Sequence, residues 1–532
     1  MPPIHTPVLI VGGGPVGLTV ALELSHHGVA STVVEPRLVV EHDRPRAKTT
    51  TARTMELFRR TGVADEIRRR AGIPVDYSDE IRFCTTVTGA EITRITGALG
   101  LDLTGSSLTS EAGQQVTQPV VEEVLRDRLD GDPLVTLLFG SRATAVSLGE
   151  PTQVEITDAS GEVQVIEADF VVGADGSRSG VRSAIGALYE GAPGGRPNVN
   201  ITFRSQALAR LLPGRAAIHH WVLNPEAPGV VGPLDLDGTW WAIATGAASI
   251  ADDDEAIALV RGLVGADIDV EVLATDPWQA RLLLADSYGS GVAYLAGDAA
   301  HQNPPWGGHG FNTGVGDAVN LAWKLAAVIH GWAPRELLAS YEEERRPIAV
   351  QTITFAASNM RTLSVDLSDA ALMRDDEQGV RARSVAAAAI QAAKRAEFHS
   401  LGLVLGYGYA AESADQAPTG EIYRPQARPG NRLPHARTAA GASLFDALGP
   451  EFTVIGSTEK AQPLVDALSD RGVPVAHLDA VAQGFDEHDV PVLAIVRPDQ
   501  HLAWVGETAP EQLDSVIDAA LLGFTTAAAA AS

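Results

Sequence analysis

Residues 297–316 read GDAAHQNPPWGGHGFNTGVG, six glycines and the pair Pro304-Pro305 in twenty positions. A backbone so stripped of side chains can lie flat against a rigid ring, because a Cβ on the contacting face would push the ring away. The two prolines fix the direction of approach. Far upstream, Gly12, Gly14 and Gly17 spell GxGxxG within VLIVGGGPVGLTVALEL. In that pattern the first glycine makes a tight turn, the second lets a pyrophosphate touch the backbone, and the third lets helix pack on strand. Glu35 follows 18 residues after Gly17, where a carboxylate can accept both hydroxyls of an adenosine ribose. The pattern serves NAD and FAD alike.

The elements that must position these residues follow from hydrophobic periodicity. Val8–Val11 is a short aliphatic run without alternation, followed by glycines and by Leu18, Ala21 and Leu22 at helical spacing, then by Thr32-Val33-Val34. Strand, turn, helix and strand in such order open a parallel α/β sheet buried on both faces. Two later strand-to-glycine junctions, DFVVGADG (169–176) and AYLAGDAA (293–300), suggest one sheet assembled from distant segments. Between them, from about 185 to 285, AIHHWVLN and GTWWAIAT alternate aromatic and β-branched residues, which predicts an inserted, mainly antiparallel sheet. Helical patterns run from Glu336, YRPQARPGNRLP (423–434) reads as a linker, and FTVIG, VPVAHL and PVLAIVRP supply three strands before a closing helix.

Composition removes several classes. A chain of 532 residues implies two or three domains. Its formal charge of -27 argues against nucleic acid and anionic membranes as partners. The lone Cys84 precludes an intramolecular disulfide and any CxxC pair, and reads as a buried small hydrophobe in a reducing, cytoplasmic protein. MPPIHTPVLIVGGG lacks the pattern of a secretory signal, and no apolar run reaches the ~20 residues of a membrane span, LLGFTTAAAAAS being the nearest. Neither HExxH nor ligand-like histidine spacing is present, so no metal site is expected. No GxSxG elbow follows a strand, and none of the eight tyrosines has a lysine four residues on, which disfavours a hydrolase and a nicotinamide dehydrogenase.

With GxGxxG first, Asp175-Gly176 in the middle and Gly297-Asp298 late, all on strand ends, the chain resembles the class A flavoprotein monooxygenases of the para-hydroxybenzoate hydroxylase type. It is most similar to their phenol and aromatic polyketide hydroxylase branch. The resemblance spans about residues 5–360 and implies FAD as cofactor with NADPH or NADH as co-substrate. It assigns Asp298 to the ribityl or pyrophosphate part of FAD, and Asp175 and Gly176 to FAD and NADPH jointly. It matches Arg44 and Arg46 in DRPRAKTTTARTMELF and Gln118 in VTQPVVEEVL to the family's cofactor contacts. It also aims the backbone N–H groups of Phe311 and Asn312, beside Gly310, at the flavin C2 carbonyl and N1. The benzoate hydroxylase loop carries a lysine and a threonine where this chain has His309 and Trp306, and its benzoate-binding groups have no match here. A large apolar phenol is therefore the expected substrate.

The mechanism so implied is hydroxylation of a phenolate, of the kind met in polyketide and antibiotic biosynthesis, by a C4a-hydroperoxyflavin, with the Pro305 carbonyl facing the peroxide. The substrate base stays unassigned: His219, His220 and Arg204 lie in the expected substrate sheet, with Trp221, Trp240 and Trp241 as stacking candidates. Baeyer–Villiger or epoxidising chemistry on the same scaffold is the alternative, and an inactive flavin-binding scaffold is the non-enzymatic one. The fold expected is thus α/β: a Rossmann-like FAD-binding domain (1–76, 104–182, 283–360), a substrate-binding domain (77–103, 183–282), a helical segment and linker (361–428), and a thioredoxin-like domain (429–532). The last contains no cysteine, which leaves packing or subunit contact, as in a homodimer, for its role.

Overall fold

A computed structural model describes residues 4–212, 217–360, 367–410 and 420–524. Parts of the expected helical segment and linker, and the alanine-rich end, lie outside the described residues.

The aliphatic runs without alternation become the buried centre of a seven-stranded sheet. Its parallel part runs Val135–Phe139, Ser31–Glu35, Ile4–Val11, Val163–Gly173 and Ala293–Leu295. Register brings the three strand tips level: Val11 pairs with Gly173, and Gly173 with Leu295. Leu9, Val172 and Leu295 are fully buried there, so residues almost three hundred apart in sequence share one core. The antiparallel strands Thr152–Thr157 and Arg142–Ser147 complete the sheet. Helices Pro15–His26 and His309–Ile329 pack against each other and on this sheet.

The inserted sheet has eight strands and is mainly antiparallel, with one parallel pair between His219–Val222 and Ile81–Cys84. Two long strands, Tyr189–Arg204 and Glu271–Ala285, carry it out from the first domain and pair antiparallel. The expected boundary at 282/283 therefore falls inside a strand. Helix Glu377–Phe398 covers the face that carries Trp221 and Trp241, packing Ile390 and Phe398 against them and Phe83.

The carboxyl-terminal unit orders its strands Val475–Leu478, Phe452–Gly456, Leu493–Val496 and Leu502–Gly506. Only the first two are parallel. The unit is fused to the first domain by buried charge: Arg497 donates to Glu344 at 2.7 and 2.8 Å, and Lys324 to the same carboxylate at 2.8 Å. The 423–434 stretch is not a free linker. Arg432 is 2% exposed, pairs with Glu56, and donates to Tyr423 Oη at 2.9 Å. Arginine and proline there mark a packed, ion-paired crossing, which composition alone cannot tell from a solvated one.

Candidate active site

A cavity of about 1570 Å³ runs from the tip of the first strand to the inserted sheet. One drug-sized ligand fills ~300–1,000 Å³, so this space suits a dinucleotide together with a second molecule. Gly12, Gly14, Glu35, Arg44, Arg46 and Gln118 line one end. Asp175, Gly176, Asp298, Pro305, Gly310 and Phe311 line the middle, and His219, Trp221, Trp241, Trp278, Trp306 and Phe398 the other end.

The three glycines of the first motif meet three different demands. Gly12 adopts φ +107°, and a Cβ there would stand 2.3 Å from the Ala174 carbonyl oxygen. At Gly17 a Cβ would stand 1.9 Å from the Gly12 carbonyl oxygen, so its bareness serves helix-on-strand packing. Gly14 differs: nothing lies within 4 Å of its missing side chain, and it caps helix Pro15–His26 without a side-chain hydrogen bond. Space and unpaired helix N–H groups together form an anion cradle. Beside it, Glu35 accepts from the Gly13 amide at 2.8 Å and from Arg37 Nε at 2.8 Å, and Arg37 also reaches Glu122 at 3.0 Å. Arg44 and Arg46 are exposed on the cavity rim, and Gln118 opens the helix Gln118–Leu129.

At the middle, helix His309–Ile329 starts from Gly308 in the left-handed region, φ +70°, again with no side-chain cap. Gly308, Gly310 and Phe311 line the cavity, so the partial positive charge of this helix amino terminus lies in its wall. The Asn312 side chain, by contrast, turns away from the cavity to tie down the chain at Thr49–Thr51. Its Nδ2 donates to the Thr49 carbonyl at 3.1 Å and to Gly308 at 2.7 Å, and its Oδ1 accepts from the Thr51 amide at 2.9 Å. Pro305 O accepts from the Gly308 amide at 3.1 Å, which shapes the turn. Gly297 lies just behind the cavity, its amide donating to Asp317 at 3.1 Å, where His301 and Arg345 also converge at 2.8 and 2.9 Å. That fully buried cluster fixes Asp298 relative to the helix start. Asp298 is exposed to the cavity, and its protein-lined surroundings push the carboxyl upward, against His301 and Arg46. Burial also raises Asp175, although its Oδ2 accepts from the Gly180 amide at 2.7 Å.

Strand alternation separates the tryptophans. Trp241 and Trp221 face the cavity, whereas Trp240 packs on the opposite side with Val199 and Phe203 and donates to the Ser205 carbonyl at 3.1 Å. Trp240 is thus a core residue, and the adjacent pair could not both point one way. His219 stands edge-on to Trp241 at 5.1 Å, and burial lowers its pKa to about 3, so it is neutral. His220, buried on the other face, is held at about 4, and Arg204 pairs with Glu271 at 2.9 Å on the surface. His309 is buried and held at about 4, so it brings no charge to the glycine tract. Burial pushes the Cys84 thiol up to about 12, as befits a core residue.

The residues present fit FAD. The Gly14 cradle is open, and two atoms of cavity-lining residues, Asp175 Oδ1 and Asn303 Nδ2, are buried without a protein partner. A family model described as FAD binding domain matches residues 5–356. The chain belongs to this FAD-binding family, that of the class A aromatic hydroxylases, and is an FAD-dependent monooxygenase. It is 32% identical to 4-methyl-5-nitrocatechol 5-monooxygenase of Burkholderia sp, over 98% of this chain and 97% of that one. It is 30% identical to tetracenomycin B2 monooxygenase-dioxygenase of Streptomyces olivaceus, over 97% and 98%. Among solved structures, the rebeccamycin biosynthetic enzyme RebC with reduced flavin superposes with a TM-score of 0.88 at 32% identity, covering 98% of this chain and 99% of that one.

In this monooxygenase several cavity residues carry no sequence signal of their own. Lys48 sits two positions past Arg46, and Trp278 lies in an alternating run of the inserted sheet. Phe398 and Glu397 come from a helix whose alanine-rich pattern gives no hint of a cavity wall. Arg37 and Glu122, which orient Glu35, become neighbours only through the sheet. Among the described residues no group of three or more potential metal ligands occurs, and no helix is long and apolar enough to cross a membrane.

Proposed function

We propose that the protein inserts one atom of O2 into a phenolic, polycyclic aromatic substrate, with NAD(P)H as electron donor. The observation that carries this is the continuity of the cavity from the Gly14 cradle, past the first turn of helix His309–Ile329, to the aromatic wall of Trp221, Trp241 and Trp278. Bound FAD would supply the redox chemistry that links the nicotinamide to O2. The chain's own residues do the rest. The Gly14 turn and the helix Pro15–His26 hold pyrophosphate, Glu35 holds the adenosine ribose, and Arg44, Arg46, Gln118 and Asp298 bracket the middle of the cofactor. The N–H groups of Phe311 and Asn312 would stabilise negative charge on the ring, and the Pro305 carbonyl would stand beside the activated oxygen. The tryptophans bind a flat substrate and exclude water, which would otherwise discharge the activated oxygen.

We read the carboxyl-terminal unit, described over residues 429–524, as thioredoxin-like because its first and second strands are parallel, the first sits centrally, and two antiparallel strands follow. Without cysteine, their role in this reading is to buttress the cofactor domain through Arg497 and Glu344. A reduced, buried Cys84 supports a cytoplasmic location.

The test is direct. Purified protein is expected to be yellow and to oxidise NADPH or NADH faster when polycyclic phenols are added. A colourless protein that neither retains nor rebinds FAD contradicts the cofactor site, and a yellow one indifferent to every aromatic contradicts the substrate class.

A further inference from the structure

The inserted sheet and the glycine tract meet at a lysine amine that has no ion-pair partner among the described residues. Lys48 Nζ lies over the Trp241 ring, 4.8 Å from its centroid, in the cavity wall. Among the described residues its side chain makes no ion pair or hydrogen bond. The two fully buried lysines behave otherwise: Lys324 holds Glu344 at 2.8 Å and Lys394 holds Glu397 at 2.7 Å. Lys48 is only partly buried, yet an ammonium in a cavity wall without a partner is costly, so a lysine kept this way marks a place where an anion arrives.

Its position says which anion. The chain immediately after Lys48 is fastened to the helix amino terminus by Asn312, through the Thr49 carbonyl and the Thr51 amide. Lys48 is thereby held between the glycine tract and the substrate-sheet residues Trp241 and His219, away from the Gly14 cradle where phosphate belongs. The charged and titratable neighbours on this wall are Asp43, Arg44, Asp276 and His219, none of them within ion-pair distance of Lys48. His219 is neutral, and burial alone brings Lys48 down to about 8.

We propose that Lys48 is the catalytic residue that ionises the substrate: its amine takes the phenol proton, and the resulting ammonium holds the phenolate oxygen. The step balances without a third group, since phenol plus amine and phenolate plus ammonium carry the same protons. It leaves an electron-rich ring beside the cofactor, as oxygen insertion requires. This inference rests on the proposed function, of whose substrate it specifies the ionised form.

The test uses the FAD-loaded enzyme and hydroxyanthraquinones such as alizarin, whose ionised forms absorb at longer wavelength than flavin. Absorbance titration reads phenol ionisation in the bound state without turnover. In the wild-type protein the bound phenol is expected to ionise about 10- to 100-fold more readily than free, the range of a charge-assisted contact. Lys48→Met is expected to abolish this gain and Lys48→Arg to retain the held phenolate, both with an unchanged flavin spectrum. Bound probe with the same ionisation in wild type and Lys48→Met overturns the proposal. So does a Lys48→Met protein that changes only the flavin spectrum or potential, or only the affinity for anthraquinone-2-carboxylate. If no hydroxyanthraquinone or naphthol binds the wild-type holoenzyme, the substrate reading itself fails, and the inference with it.

Discussion

Asn312 and Thr49, 263 residues apart, are joined by a hydrogen bond of 3.1 Å from the Asn312 amide to the Thr49 carbonyl. The same side chain reaches the Thr51 amide and the Gly308 carbonyl, so one residue sets the spacing between the cofactor helix and the segment that carries Lys48. Replacing Asn312 by Leu takes this partner from the Thr49 carbonyl and the Thr51 amide, while the Gly308 carbonyl keeps its helix bond, and is expected to destabilise by about 1–3 kcal/mol per unsatisfied buried group, less where water enters. FAD retention, read from visible absorbance after gel filtration, should fall in parallel with Tm.

Gly14 and Gly17 should respond in opposite ways. Gly14→Val meets open space at an ordinary φ of -75°, so the apoprotein is expected to fold with a near-native Tm yet lose FAD affinity. Gly17→Val drives a side chain to 1.9 Å of the Gly12 carbonyl oxygen, so it should lower soluble yield and Tm before any cofactor question arises. Circular dichroism with FAD titration separates the two outcomes. Equal loss of fold at both positions would contradict the assignment of the cradle.

Trp240 and Trp241 offer a second contrast. Trp240→Ala empties a core site and is expected to destabilise by about 3–5 kcal/mol, measured by urea unfolding, while KM for an aromatic substrate changes little. Trp241→Ala enlarges the cavity wall, so KM should rise several-fold and uncoupled peroxide release increase.

The buried cluster of Glu344, Arg497 and Lys324 gives the protein an acid limit. Burial opposes ionisation of Glu344, but Arg497 and Lys324 outweigh it and hold its pKa at about 2. An unfolded glutamate titrates near ~4.3, so the folded state gains stability from this group above that pH and loses it as pH falls through about 2. Glu344→Gln leaves buried Lys324 without its ion-pair partner and Arg497 with Asp499 alone, at 2.7 Å, and should cost about 3–5 kcal/mol at neutral pH. The same variant should flatten the dependence of stability on pH between the two values, read by denaturant titration at each pH.

What could be seen in the sequence was local. Gly12, Gly14 and Gly17, Asp175-Gly176 and Gly297-Asp298 announce themselves because each turn must follow its own strand at once, and the three strand tips did meet in one sheet. What escaped depends on pairing across distance or on facing. Arg497 finds Glu344 across 153 residues, and Asp317 gathers His301, Gly297 and Arg345 from three elements. Neither carboxylate has a spacing signature. Trp240 and Trp241 are chemically alike, and only the direction of the pleat decides which one sees the cavity. Helix Glu377–Phe398 reads as an ordinary alanine-rich helix, and its last residues reach the cavity only because the chain returns to the inserted sheet.

Product mass after turnover under isotopically heavy oxygen gas bears most directly on the central claim. With NAD(P)H and a polycyclic phenol, the account predicts a product heavier by a single labelled oxygen atom, formed with stoichiometric consumption of the nicotinamide. An unlabelled product, or nicotinamide oxidation that yields only labelled peroxide with every aromatic offered, would contradict it.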